Sequence, residues 1–140
     1  MSELAQGAST PFPVALLLCD SVVVDERSKK KTLVGVFDNI NAVSFPTTYR
    51  PITLYARLTD AEGQYSFRLD YVQVKTDQLL AKAEIPSLNI PDRLSAYEIM
   101  LEPPPIVIPE PGEYEFRLWA NDRYIGRVKF RANKIEKRGN

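Results

Sequence analysis

The polar residues best placed to do chemistry sit at Cys19-Asp20-Ser21, which interrupts the apolar stretch Val14 to Val24. A thiol needs a neighbouring base or cation to become a nucleophile, and none is evident beside Cys19. The expected roles are structural. Cys19 packs as a small hydrophobe, and Asp20 marks a hydrogen-bonded break or bulge in a strand. The chain holds no histidine and a single cysteine. Those absences exclude imidazole acid–base catalysis, Ser-His-Asp and Cys-His pairs, most zinc sites and an internal disulfide. No glycine-rich phosphate loop is present. The chain therefore reads as non-enzymatic, with no catalytic residue, no cofactor site and no metal site.

Three other groupings carry some chemistry. Asp25, Glu26, Asp60, Glu62, Asp92 and Asp122 fall in turns that a strictly antiparallel order would gather at one pole, and clustered loop oxygens suit Ca²⁺. Arg27, Lys29, Lys30 and Lys31 share that pole, and no DxDxDG spacing occurs, so a metal is not expected. Basic residues collect at Lys29-Lys30-Lys31 and along Arg127, Lys129 and Arg131. Seven basic residues stand against one acidic from Arg123 to Asn140, whereas residues 1 to 26 hold four acidic and none basic. The bland reading of the stripe is edge protection, and nucleic acid is not the expected partner. Finally, Tyr55 and Trp119 fall on outward strand faces, with Ile125 beside Trp119. Tyr and Trp favour interfaces. The candidate interface is thus Tyr55, Trp119, Ile125, Arg127, Lys129 and Arg131. Three alternatives stay open: Trp119 contacts a partner, the assignment of in and out is reversed locally, or an N-terminal arm at Pro11 to Pro13 covers it.

Whole-chain charge adds a bound. Eighteen Lys and Arg balance eighteen Asp and Glu over 140 residues, which argues against a uniformly basic domain. The apolar stretch is too short and too interrupted to cross a bilayer, which needs about 20 apolar residues. No Lys or Arg precedes it and no small-residue cleavage site follows, unlike a signal peptide. No membrane association and a cytoplasmic location are expected.

These residues must be positioned by strands, because the hydrophobic period is two almost throughout and turn residues recur about every ten positions. The expected strands are Val14–Val24, Thr32–Phe37, a short edge near Ala42–Phe45, Pro51–Thr59, Gln64–Val74 and Leu79–Ile85. Asp92–Glu102 fits a strand somewhat better than a short helix. Pro103 to Pro111 is extended, since proline restricts both itself and the residue before it. Two hairpins stand out. The first sets Leu58 opposite Tyr65, Ala56 opposite Phe67 and Leu54 opposite Leu69 across a four-residue loop. The second runs from Glu113 to Ala132. It pairs Ala120 with Tyr124 and Phe116 with Val128, opposes Glu113 to Arg131 and Glu115 to Lys129, and leaves Arg117 facing Arg127. About eight strands, antiparallel where connections are short, imply a single-domain β-sandwich rather than a small barrel.

Several segments then carry a resemblance: LLLCDSVVVD (Leu16 to Asp25), TLVGVFDNINAVSFP (Thr32 to Pro46), YARLTDAEGQYSFRL (Tyr55 to Leu69) and PEPGEYEFRLWANDRYIGRVKF (Pro109 to Phe130). The chain resembles an uncharacterised bacterial family of small immunoglobulin-like β-sandwich proteins. The likeness implies fold and compartment, and brings no reaction or site residues. The expected organisation is a flexible arm (1–13), a sandwich domain (14–133) and a polar tail (134–140). The expected function is a non-enzymatic interaction or assembly module, binding a protein partner or a second copy of itself. The alternative is a module for an acidic or carbohydrate ligand on the Trp119, Arg127, Lys129 and Arg131 face.

Overall fold

The computed structural model describes residues 8–137, all of them in strands, turns or extended chain with no helix. There are twelve strands: β1 (Phe12–Cys19), β2 (Ser21–Val24), β3 (Lys31–Val34), β4 (Asn39–Ala42), β5 (Thr47–Tyr49), β6 (Thr53–Thr59), β7 (Gly63–Gln73), β8 (Gln78–Ile90), β9 (Tyr97–Leu101), β10 (Ile106–Ile108), β11 (Gly112–Ala120) and β12 (Arg123–Lys134). The excess over the expected eight comes from short pieces. The apolar stretch at the start divides at Asp20, whose backbone N–H turns to the carbonyls of Val34 and Gly35. Its side chain fills the space beside Gly35, where a Cβ would lie 2.4 Å from Oδ2 at a φ of +70°. Only glycine fits there. β2 therefore leaves the line of β1 and pairs with β3 as a separate ribbon.

Two larger sheets share one core. The first has the order β1-β6-β9, the second β4-β12-β11-β7-β8. Leu54, Ala56 and Leu58 come from the first, and Leu69, Tyr71, Tyr114, Phe116 and Phe130 from the second. Tyr71 stacks on Phe116 at 5.2 Å, and Tyr114 stacks on Phe130 at 5.4 Å. A third small sheet joins β5 to β10.

The sequence expectation of a hairpin from Pro51 to Val74 is corrected here. β6 pairs with β1 and β9, while β7 pairs with β11 and β8. The turn between them carries the chain from one sheet to the other. All six residues expected inward, Leu54, Ala56, Leu58, Tyr65, Phe67 and Leu69, are buried. Residues that face each other across a core satisfy the same alternation as residues paired in a hairpin, so the pattern reports the face and not the neighbour.

The second hairpin forms, with one change. From Gly112↔Ala132 to Leu118↔Gly126 the register is the expected one. At the turn it slips by one, giving Trp119↔Tyr124 and Ala120↔Arg123. Asn121 and Asp122 have φ of +48° and +61°, so the connection is a two-residue turn rather than a three-residue one. β12 absorbs the extra residue as a bulge. The far end of β12 is not an edge, since β4 pairs with Arg131–Lys134 in parallel. β9 confirms Tyr97–Leu101 as strand, and β8 runs through Pro86, where Tyr65/Phe67 marks a register shift.

Candidate functional site

The outer face of the five-stranded sheet carries most of the expected interface, and its charges are largely spent on one another. Glu115 is only 3% exposed. It accepts from Arg117 Nε at 2.8 Å and lies 3.4 Å from Arg127 Nη1. Arg117 also reaches Asp77 at 2.7 Å. The two arginines that the register sets opposite each other therefore share carboxylates instead of repelling. Hydrogen bonds from Arg117 to Glu115 and then to Asp77 hold its guanidinium protonated more firmly than usual. Arg131 pairs with Glu113 at 3.7 Å, as the register predicts. Lys129, opposite Glu115 in register, is exposed.

Trp119 is half-buried, with the Arg68 guanidinium carbon 4.7 Å above its ring and Tyr124 edge-on at 5.5 Å. Arg68 is itself held by Asp70 at 3.1 Å and Asp122 at 2.9 Å. The indole N–H is buried with no acceptor among the described residues. The turn slip has a consequence here, because moving the register by one exchanges faces. Tyr124, expected inward, is exposed beside Trp119, and Ile125, expected outward, packs against the core. Pro13, from the proposed arm, instead approaches Gly126, where a Cβ would lie 3.2 Å from its ring. The same segment is tied elsewhere: the Tyr65 hydroxyl donates to the Ser9 carbonyl at 2.6 Å, and Arg123 donates to the Thr10 hydroxyl at 2.9 Å. Residues 1–7 and 138–140 of the expected arm and tail lie outside the described residues.

Tyr55 is corrected as well. Its strand face is outward, as expected, but it is buried at 7% exposure. The β2–β3 ribbon reaches the same carboxylate as Tyr55, bringing Lys31 to Glu98 at 2.7 Å. The Tyr55 hydroxyl donates to the other Glu98 oxygen, and Arg57 lies 3.5 Å from it. Burial, then the Glu98 bond, pushes the Tyr55 hydroxyl pKa up. At Glu98 burial works in the opposite sense from its neighbours, but the bonds from Lys31 and Tyr55 and the charges of Lys31 and Arg57 win, and its pKa is lowered. Sequence reasoning missed Glu98, Asp77 and Arg68 as partners. Glu98 and Arg68 needed a knowledge of which strands adjoin, since the partners of Glu98 lie 41 to 67 residues away and Arg68 meets Trp119 on the neighbouring β11 and Asp122 just past it.

Cys19 is fully buried, its thiol 3.4 Å from the Ser21 carbonyl and 3.6 Å from that of Thr53. Burial, reinforced by the Asp20 charge, raises its pKa and keeps it a thiol. A surface hollow of about 300 Å³ lies next to it, with Asp20, Arg50 and Glu102 as its charged members. The loop acids largely serve their own turns. Asp25 accepts from Arg27 and Ser28 N–H, and Asp92 accepts from Leu94 N–H. Glu62 accepts from Arg93 N–H, and Asp122 pairs with Arg68. Among the described residues, no three of the carboxylates and the thiol come together as metal ligands.

The apolar exposure lies elsewhere. Phe12 (61%), Val14, Leu17, Val23 (55%), Val24, Val34 and Val36 are half of the fourteen exposed large apolar side chains among the described residues. All seven belong to β1, the ribbon and the residue just past Gly35. Among the described residues, no helix is long and apolar enough to cross a membrane.

An all-β architecture of several sheets, two of them sharing a core, sets the class of protein. The chain belongs to a family of unknown function, DUF6941, whose family model matches residues 14–133. No curated protein matches it.

Proposed function

We propose that the chain is a non-enzymatic, immunoglobulin-like β-sandwich that serves in the bacterial cytoplasm as a protein-interaction or assembly module. The observation that carries the reading is the concentration of exposed apolar side chains between Phe12 and Val36. Exposed apolar surface gathered in one segment of a small protein favours contact with another macromolecule. Val23 and Val34 occupy the face of the ribbon turned away from Tyr55, opposite Thr32 and Ser21 in register. The charged turn Asp25 to Lys30 flanks them and supplies a polar rim. The interface thus moves from the Trp119 face to the ribbon. The alternative ligand site at Trp119, Arg127, Lys129 and Arg131 loses support, because Glu113 and Glu115 already neutralise two of its three cations.

A photo-crosslinking side chain placed at Val23, and separately at Lys129, tests the reading in cells of the native host. Protein adducts at position 23 with few at position 129 are expected. Absence of adducts at position 23 would remove its basis.

A further inference from the structure

β8 is the longest strand, at thirteen residues, and it ends the five-stranded sheet. Its described strand partner is β7. The other sheet ends are shorter or closed. β4 has four residues and β9 five, while β1 runs against β12 where Pro13 and Leu16 meet Gly126. A long open edge presents a row of N–H and C=O groups that recruits another strand, and natural sheets guard against it with inward charges, lysines, prolines or bulges. β8 has Pro86 and register shifts at Tyr65/Phe67 and Tyr71/Val72, but between the shifts Ala81 to Ile85 pairs regularly with β7 and carries no inward charge. Ala81, Ala83 and Ile85 face inward against Tyr71, Leu69 and Phe67. Lys82 and Glu84 face outward, one of each sign.

We propose that β8 is a self-association edge, where two copies pair antiparallel about a two-fold axis at Ala83; the proposal deepens the assembly reading and rests on it. In this register Lys82 of each copy stands opposite Glu84 of the other, Ala83 meets Ala83, and Ala81 faces Ile85 of the second copy. The charges select it. Shifting the axis to Lys82 opposes two lysines, and shifting it to Glu84 opposes two glutamates. Like charges directly opposite are destabilising in a sheet. Shifts by one residue mix the two faces. Within one chain Lys82 and Glu84 are 4.0 Å apart and more than half exposed, so little is lost when each turns to the second copy. The inner side agrees. Ala81 and Ala83 are small and leave a hollow of about 50 Å³ before Pro103–Pro105, and Ile85 of the second copy reaches its rim. Pairing joins two five-stranded sheets into one, as an isologous two-fold contact requires.

Sedimentation of the full chain over a concentration series tests the proposal. The wild type is expected to reach twice the 15.9 kDa of one chain. Lys82→Glu or Glu84→Lys alone should weaken the dimer roughly tenfold or more. Mixing those two variants should give a heterodimer, and the double reversal K82E/E84K should restore the homodimer. A wild type that stays monomeric to about 1 mM overturns the proposal, as does a dimer indifferent to the single reversals. A dimer that ignores the reversals but is lost in Val23→Lys would leave the assembly reading standing and move the contact to the ribbon. A monomer that still gives adducts at position 23 would do the same for a different partner.

Discussion

The outer faces of the two larger sheets meet water in opposite ways. On the five-stranded sheet, Glu113, Glu115, Asp70, Asp77 and Asp122 are matched by Arg131, Arg127, Arg117 and Arg68, and the buried Glu115 lies at the centre. On the three-stranded sheet, one carboxylate, Glu98, takes Lys31, Arg57 and Tyr55, and the ribbon that delivers Lys31 shows valines to solvent. The first face satisfies itself, so a charged partner would have to displace bonds already made. The second gathers its polar groups on Glu98 beside a ribbon whose outer face sets Val23 and Val34 among Thr32 and Ser21. A residue type that looks like an interface in sequence is thus a poor guide until its neighbours are known, and the arginines are the clearest case.

The comparison breaks first at Glu115. Removing its carboxylate leaves Arg117 and Arg127 facing each other, and Glu115→Ala should cost about 2–4 kcal/mol in urea denaturation. A cost no larger than that of Lys129→Ala would mean that the ion pairs on this face are ornamental. Next is Gly35→Ala, where the φ of +70° and the Asp20 carboxylate both oppose a Cβ. It should cost about 1–3 kcal/mol. Hydrogen exchange should show the loss concentrated in amides of β2 and β3, with β11 and β12 still protected. Uniform loss would mean that the ribbon is not a separable layer.

Glu98→Gln comes third, at about 1 kcal/mol near neutral pH. The sign of its pH dependence follows from a folded pKa held below the ordinary 4.5. A carboxylate with a lowered folded pKa stabilises above its ordinary value and loses that contribution as pH falls through the lowered one. The stability gap between wild type and Glu98→Gln should therefore close as the solution is acidified below 4.5. A gap that persists in acid would assign the effect to packing. Smallest are Lys129→Ala and Val23→Lys, each within about 0.5 kcal/mol of wild type by thermal unfolding, since both side chains are exposed. They should differ in binding of a hydrophobic dye, reduced by Val23→Lys and unchanged by Lys129→Ala.

Much of the fold was legible. The β11–β12 hairpin was readable because its two strands adjoin in sequence, and its register from Glu113 to Leu118 follows from alternation and charge. The slip at Asn121-Asp122 was not, because asparagine and aspartate tolerate positive φ and so permit a two-residue turn as readily as a longer one. That single step exchanged Tyr124 and Ile125. The site was less legible. Tyr55 was placed on the right face, yet it is buried, and the partner of its hydroxyl lies 43 residues on.

The sequence by itself determined the all-β class, the absence of imidazole chemistry and, along the regular stretches Leu54–Leu69 and Tyr114–Leu118, which side chains enter the core. Period-two alternation reports the face of a strand, and that is a local property. Only the tertiary structure decided which strands lie side by side, how β6 and β7 part into different sheets, and which charges meet. Those outcomes depend on contacts far apart along the chain, and alternation is equally satisfied by a neighbour in the sheet and by a strand across the core.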